Sequence, residues 1–420
     1  MRFLNFERWI KISLYSLLVI ALLGLLMRYK ILFELPFLDQ KNIQHAHSHF
    51  AFAGWVSQFI MILMVYTLKS KIPLDSLLKY EKLFTVNLAV AYFMLISFLY
   101  QGYGLFSISL STLSILVSYW FAYWFYQDLK IIPNSFYGKN WFKAALLFLV
   151  ASSVGTFCLA YMMATKNLPQ DFYLGSIYFY LHFQYNGWFW FAIVGLFMSI
   201  ISENITIQTF NQKAFRLFFW SCIPAYFLSM LWIDLPIYLY GITVLGALAQ
   251  VWGWWYISKA GAGFIKNISH EKIFLVRVFQ VIYLCVWIKL ILQLASVIPA
   301  MSQIAFGFRP IVVAYLHLVL LIITSGFLLF FAFCNNLIKR NKATLFFLGI
   351  FGIGIFLNEI ILGTQGILSV KYILLPYVNQ LLFTATIIIV LGISGMVIFN
   401  RKKTKKALLY DCNHKQNSKD

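Results

Sequence analysis

Twelve stretches of roughly twenty apolar residues recur along the chain, and no other feature limits its fold so sharply. A helix of that length crosses the ~30 Å hydrocarbon core of a bilayer and satisfies every backbone N–H and C=O within the segment. The runs fall at 9–28, 48–68, 83–101, 104–126, 142–164, 177–201, 215–233, 235–258, 273–298, 310–334, 343–363 and 372–399. Apolar residues make up 62% of the 420 and charged residues 11%, whereas a water-facing surface needs about a quarter charged. The expectation is an all-α polytopic membrane protein: one twelve-helix domain over residues 1–400 and a basic cytoplasmic tail over 401–420.

The net charge of +20 would point to nucleic acid in a soluble chain. Sorted by loop, it reports topology instead. Basic residues gather at the amino terminus (Arg2, Arg8, Lys11) and after the second (Lys69, Lys71, Lys79, Lys82), fourth (Lys130, Lys139, Lys143) and sixth runs (Lys213, Arg216). They recur after the eighth (Lys259, Lys266, Lys272, Arg277) and tenth (Lys339, Arg340, Lys342) and in the tail. The alternate loops hold only Arg28, Lys30, Lys41, Lys166, Arg309 and Lys371. Short cytoplasmic loops retain Lys and Arg, so both termini are placed in the cytoplasm of a bacterial-type inner membrane. The partner is the lipid bilayer, with no nucleic acid. The first run is too long for a signal-peptide core and lacks a small-residue cleavage site. Five cysteines show no C-x-x-C or C-x-x-C-H spacing, which argues against a thiolate metal site and against covalently attached haem.

Ionisable side chains are costly inside a membrane and mark functional candidates. His45, His47 and His49 open the second run in QHAHSHFAFAGW, His182 lies early in the sixth, and His317 early in the tenth; His270 and His414 lie in a loop and the tail. Even-numbered helices run from outside to inside, so all three membrane sites share the outer third. A rise of ~1.5 Å per residue sets His182 and His317 roughly 7–12 Å below the outer surface, with His49 near that level. Sites from distant parts of the chain at one depth imply convergence on one bound group. A lone membrane histidine can equally hydrogen-bond a neighbouring helix. Within the first cluster His45 and His49 share a face one turn apart while His47 points away, and the deepest, His49, is the preferred ligand.

Two opposed imidazoles from separate helices are the usual axial pair of a b-type haem, and 43 Phe, 25 Tyr and 13 Trp could sleeve its ring. Arg309 and Lys371, at the outer surface, suit haem propionates or simple interfacial anchoring. Lys289 and Glu359, in the ninth and eleventh runs, suit mutual neutralisation or proton transfer. Gln184, Asn186 and Gln250 are polar groups of the same region.

Twelve spans with both ends inside, and histidines in the outer parts of helices two, six and ten, resemble the catalytic subunit of the haem-copper oxidase and nitric-oxide reductase superfamily (cytochrome c oxidase subunit I-like). The H-x-H-x-x-x-x-G-W string from His47 to Trp55 also resembles NnrS-type membrane haem proteins. The resemblance implies one low-spin haem b held by His49 (or His45) and His317, and a copper or non-haem iron at His182 or His47. The reductase branch places a Glu where this chain has Asn186. The high-spin haem ligand expected before His317 is Tyr315, and the paired histidines of helix seven are replaced by SMLWIDLP. Ordinary oxygen reduction is therefore not expected. The resemblance implies a membrane haem protein, electron transfer or handling of nitric oxide or a related small gas, and a redox partner or respiratory-complex subunit. The competing readings are a twelve-helix secondary transporter coupled through Lys289 and Glu359, and a non-catalytic subunit of a respiratory complex.

Overall fold

Asn5 accepts the backbone N–H of Arg8 and starts the first helix, α1 (Phe6–Leu32). A computed structural model describes residues 4–201, 204–267 and 273–400. Arg2, Lys272, His270 and the tail 401–420, with Cys412 and His414, lie outside the described residues. Among those described, every regular element is helical.

The helices follow the apolar runs: α2 (Gln40–Leu68), α3 (Leu74–Gln101), α4 (Leu105–Ile131), α5 (Lys139–Thr165), α6 (170–199), α7 (Ile205–Cys222) and α8 (Ile237–Asn267). They continue with α9 (Ile273–Ala295), α10 (Arg309–Cys334), α11 (Lys342–Val370) and α12 (Val378–Phe399). Ten helices among the described residues are long and apolar enough to cross a membrane. The sixth and seventh expected runs are helical but are not among the ten. α6 carries His182, Gln184 and Asn186 within its length, and the seventh run breaks at Pro224 into α7 and the 3-10 turn Pro224–Met230. Proline lacks the N–H that an α-helix needs and clashes with the preceding turn.

Sequence neighbours pack against one another, and α12 returns to pack on α1. Three helices occupy the centre: α2, α6 and α10, whose inner halves pack together. In α2 and α10, 78% and 61% of the apolar window is buried, against at most 50% in any other of the ten. Such interior helices need no polar face, because protein surrounds them.

All three central helices widen into a π turn at the same level: Ala51–Ser57 in α2, Phe183–Phe189 in α6 and Leu318–Ser325 in α10. The π-helix is rare and concentrates at functional sites. The widened turns leave backbone carbonyls for side chains. Thr324 Oγ1 and Ser325 Oγ donate to Val319 O and Leu320 O at 2.8 Å, and Asn87 Nδ2 of α3 donates to Ala53 O at 3.3 Å. Indoles tie the three turns together. Trp55 Nε1 donates to Ser325 Oγ at 2.9 Å, and Trp188 Nε1 to Ser57 Oγ at 3.1 Å.

Below these turns the central helices are closed, with Gln58–Val65, Trp190–Met198 and Phe327–Phe333 all buried. Above them packing loosens: Arg309–His317 contains no fully buried residue, and residues 176–181 and most of 44–53 are half-accessible. The π turns thus separate a tightly packed half of the three helices from a looser half, where His45, His47, His49 and His317 are half-accessible.

Candidate functional site

His317 ends the regular part of α10 at its π turn. Although it lies inside the bundle, 33% of its side chain is accessible, so the ring borders the open outer part between the helices. Its Nδ1 sits 3.3 Å from Asn358 Nδ2 and 3.7 Å from Glu359 Oε1, both on α11. These neighbours hold the ring from the Nδ1 side.

On α2, His47 lies within electrostatic reach of His317. His47 lies beside Gly24 of α1, its Cε1 3.7 Å from where a Cβ on that glycine would stand. The ring is half-accessible, yet its Nδ1 is enclosed and has no hydrogen-bond partner. The ring also meets the Ile20 backbone of α1, so His47 lies where α1 and α2 touch.

His49, the ligand preferred on depth, turns the other way. Its ring stacks on Phe98 of α3 with centroids 4.2 Å apart, and its Nε2 lies 3.0 Å from the Tyr103 hydroxyl. His45 also packs on Tyr103, at 4.6 Å. The expected facial division is therefore real, with His45 and His49 on one side and His47 on the other. His47 is on the side within electrostatic reach of His317. The packing of α2 on α3 takes up His45 and His49, and leaves His47 for the interior.

His182 has both ring nitrogens engaged. Nε2–H donates to Cys222 O at 2.8 Å, and Nδ1 accepts from Asn186 Nδ2 at 3.2 Å. The Cys222 carbonyl is free for this because α7 ends there, and the last carbonyls of a helix have no intrahelical partner. Among the described residues no three histidine, cysteine or acidic side chains gather as a metal-ligand set. The residues at His182 therefore do not fit a metal ion, and no chemistry is assigned through one.

The charged pair expected from Lys289 and Glu359 is not formed. Lys289 Nζ donates to Gln293 Oε1 at 3.0 Å on its own helix, whereas Glu359 accepts from Asn358 Nδ2 at 3.2 Å beside His317. Gln184 Nε2 donates to Ser152 Oγ of α5 at 2.9 Å and so leaves the histidine region, while Gln250 is buried in α8.

At the outer rim Arg309 reaches Gln44 Oε1 at 3.2 Å. Arg28, in the last turns of α1, lies in electrostatic reach of both Arg309 and His317. Arg28 and Arg309 thus bring two guanidiniums of like charge together, Arg28 toward His317. Lys371 stands exposed at the end of α11. Arg28 and Asn358 are the residues that sequence reasoning missed. Arg28 did carry a signal, as one of the few basic residues on the wrong side of the charge alternation.

No protein-family model and no curated protein matches this chain.

Proposed function

We propose that the chain is a membrane b-type haem protein in which His47 of α2 and His317 of α10 would hold the haem. The observation that supports this reading is the pair itself: two half-accessible imidazoles from helices far apart in sequence, within electrostatic reach of each other. Neutral imidazoles on opposite faces are the usual ligation of a six-coordinate b-type haem. When bound, that group supplies one-electron chemistry.

The chain's own residues do the rest. Asn358 and Glu359 flank His317 at Nδ1, where the Glu359 carboxylate, 3.7 Å away, is the acceptor for an Nδ1–H that would leave the Nε2 lone pair for coordination. Arg28 and Arg309 supply positive charge for carboxylates at the rim. The closed inner halves of α2, α6 and α10 exclude water from below.

In this reading α6 and the α7 region also cross the bilayer, giving twelve spans with both termini in the cytoplasm of a bacterial-type inner membrane. The histidines then lie near the outer face. Function follows as electron transfer to or from a redox partner or respiratory-complex subunit, or handling of nitric oxide or a related small gas. The resemblance of helices two, six and ten to the haem-copper oxidase superfamily supports the same assignment by analogy.

The test is the visible spectrum of purified protein, oxidised and dithionite-reduced, with haem extracted from the same sample. Sharp reduced bands of a six-coordinate b-type haem in stoichiometric amount support the reading. Protein expressed with ample haem that carries none overturns it.

A further inference from the structure

Lys289 lies in the last two turns of α9 and is only 3% exposed. An ammonium has three hydrogen-bond donors, and the one partner found among the described residues is Gln293 Oε1 at 3.0 Å. A carboxylate would neutralise it, yet Glu359 faces His317 and Asn358 instead. The electrostatic neighbours of Lys289 are the Cys222 thiol and His182, whose ring already has both nitrogens engaged. Among the described residues no carboxylate is paired with this ammonium.

Its surroundings among the described residues add a π face and two N–H donors, and no anionic acceptor. Lys289 Nζ sits over the Trp190 ring of α6, 5.3 Å from its centroid, and Trp190 packs on Trp254 of α8 at 5.6 Å. Both indoles are more than nine-tenths buried, and both indole N–H groups lack a partner. An indole nitrogen donates only. Three helices therefore bring to one place a cation with spare N–H bonds and two orphaned N–H donors. A surplus of donors and positive charge calls for a ligand that is all acceptor and carries negative charge.

We infer that Lys289, Trp190 and Trp254 form a binding site for a small monovalent anion of halide size, held between α6, α8 and α9. An anion there neutralises the ammonium and accepts from the indoles. The site stands apart from the His47 and His317 pair and does not depend on it.

The experiment measures equilibrium binding of radiolabelled chloride to the purified full chain, with non-radioactive thiocyanate as competitor. Wild type is expected to bind chloride saturably and stoichiometrically, and thiocyanate to displace it. Lys289→Met, which keeps the length and burial, is expected to weaken binding about 10–100-fold, as loss of a charged hydrogen-bond partner does. Trp254→Phe keeps a ring and removes only the N–H, and is expected to weaken binding roughly 2–10-fold. This second variant keeps the test sound if Lys289→Met does not fold. Absence of saturable chloride binding to folded wild type overturns the proposal, as does unchanged binding in Trp254→Phe together with a folded Lys289→Met.

Discussion

Trp55 on α2 donates its indole N–H to Ser325 Oγ on α10 across 2.9 Å, joining two residues 270 positions apart in the chain. Each belongs to a π turn, and Ser325 Oγ in turn donates to Leu320 O, a carbonyl of its own widened turn. The bond therefore locks the level at which the floor ends and the open histidine region begins. Trp55→Phe keeps the ring and deletes the donor. It is expected to cost about 1 kcal/mol, within the usual range for a buried hydrogen bond, and to lower the melting temperature in detergent. An unchanged melting temperature would show that the bond does not hold α2 to α10.

Asp128 fastens the end of α4 to the start of α3. Its Oδ1 pairs with Lys79 Nζ at 2.9 Å, its Oδ2 accepts the Tyr80 hydroxyl, and its side chain is 4% exposed. Removing one partner of such a pair leaves the other charge uncompensated. Asp128→Ala is expected to destabilise by about 3–5 kcal/mol, and Asp128→Asn, which still accepts from Tyr80, by less. Detergent denaturation curves of the two variants check the order, and a mild Asp128→Ala would mean that Lys79 escapes to water.

α11 and α12 approach through glycine. A Cβ on Gly392 would stand 2.5 Å from Phe351 N, and one on Gly354 would stand 2.7 Å from Ile389 N. Both obstacles are backbone and cannot swing aside. Small residues permit such approach between membrane helices. Gly392→Leu is expected to abolish folded yield, whereas Gly363→Ala, with nothing within 4 Å, is expected to leave it unchanged. Size-exclusion profiles of the two variants decide it, and a normal profile for Gly392→Leu would contradict the crossing.

Glu359 and Asn358 bear on His317 through its Nδ1. Groups that orient a ligating imidazole typically affect metal affinity by about 10–100-fold when replaced. Asn358→Leu is expected to weaken haem retention in that range, and Glu359→Gln to raise the haem midpoint potential by removing negative charge near the imidazole. Potentiometric titration of both variants checks this. Wild-type retention and potential in both would show that neither acts on the ligand.

The helices and the central place of the histidine-bearing ones follow from features a chain displays openly: run length, charge alternation and intramembrane histidines. The shared face of His45 and His49, with His47 opposite, follows from helical geometry alone. Which face meets α10 does not, because it depends on how α2 packs against α3, where Phe98 and Tyr103 receive His49. Depth along the helix favoured His49, and packing favours His47. The π turns carry no residue signature and emerge only when three helices are in contact. Lys289 and Glu359 share a level, which suggests a pair, but they point to different neighbours, Gln293 and the His317 group.

The most direct measurement compares reduced visible spectra and haem content of His47→Ala, His49→Ala and His317→Ala. Axial ligation by His47 and His317 predicts loss of the six-coordinate spectrum in those two variants and its retention in His49→Ala. Retention in His47→Ala with loss in His49→Ala would contradict the pairing and return the ligand role to His49.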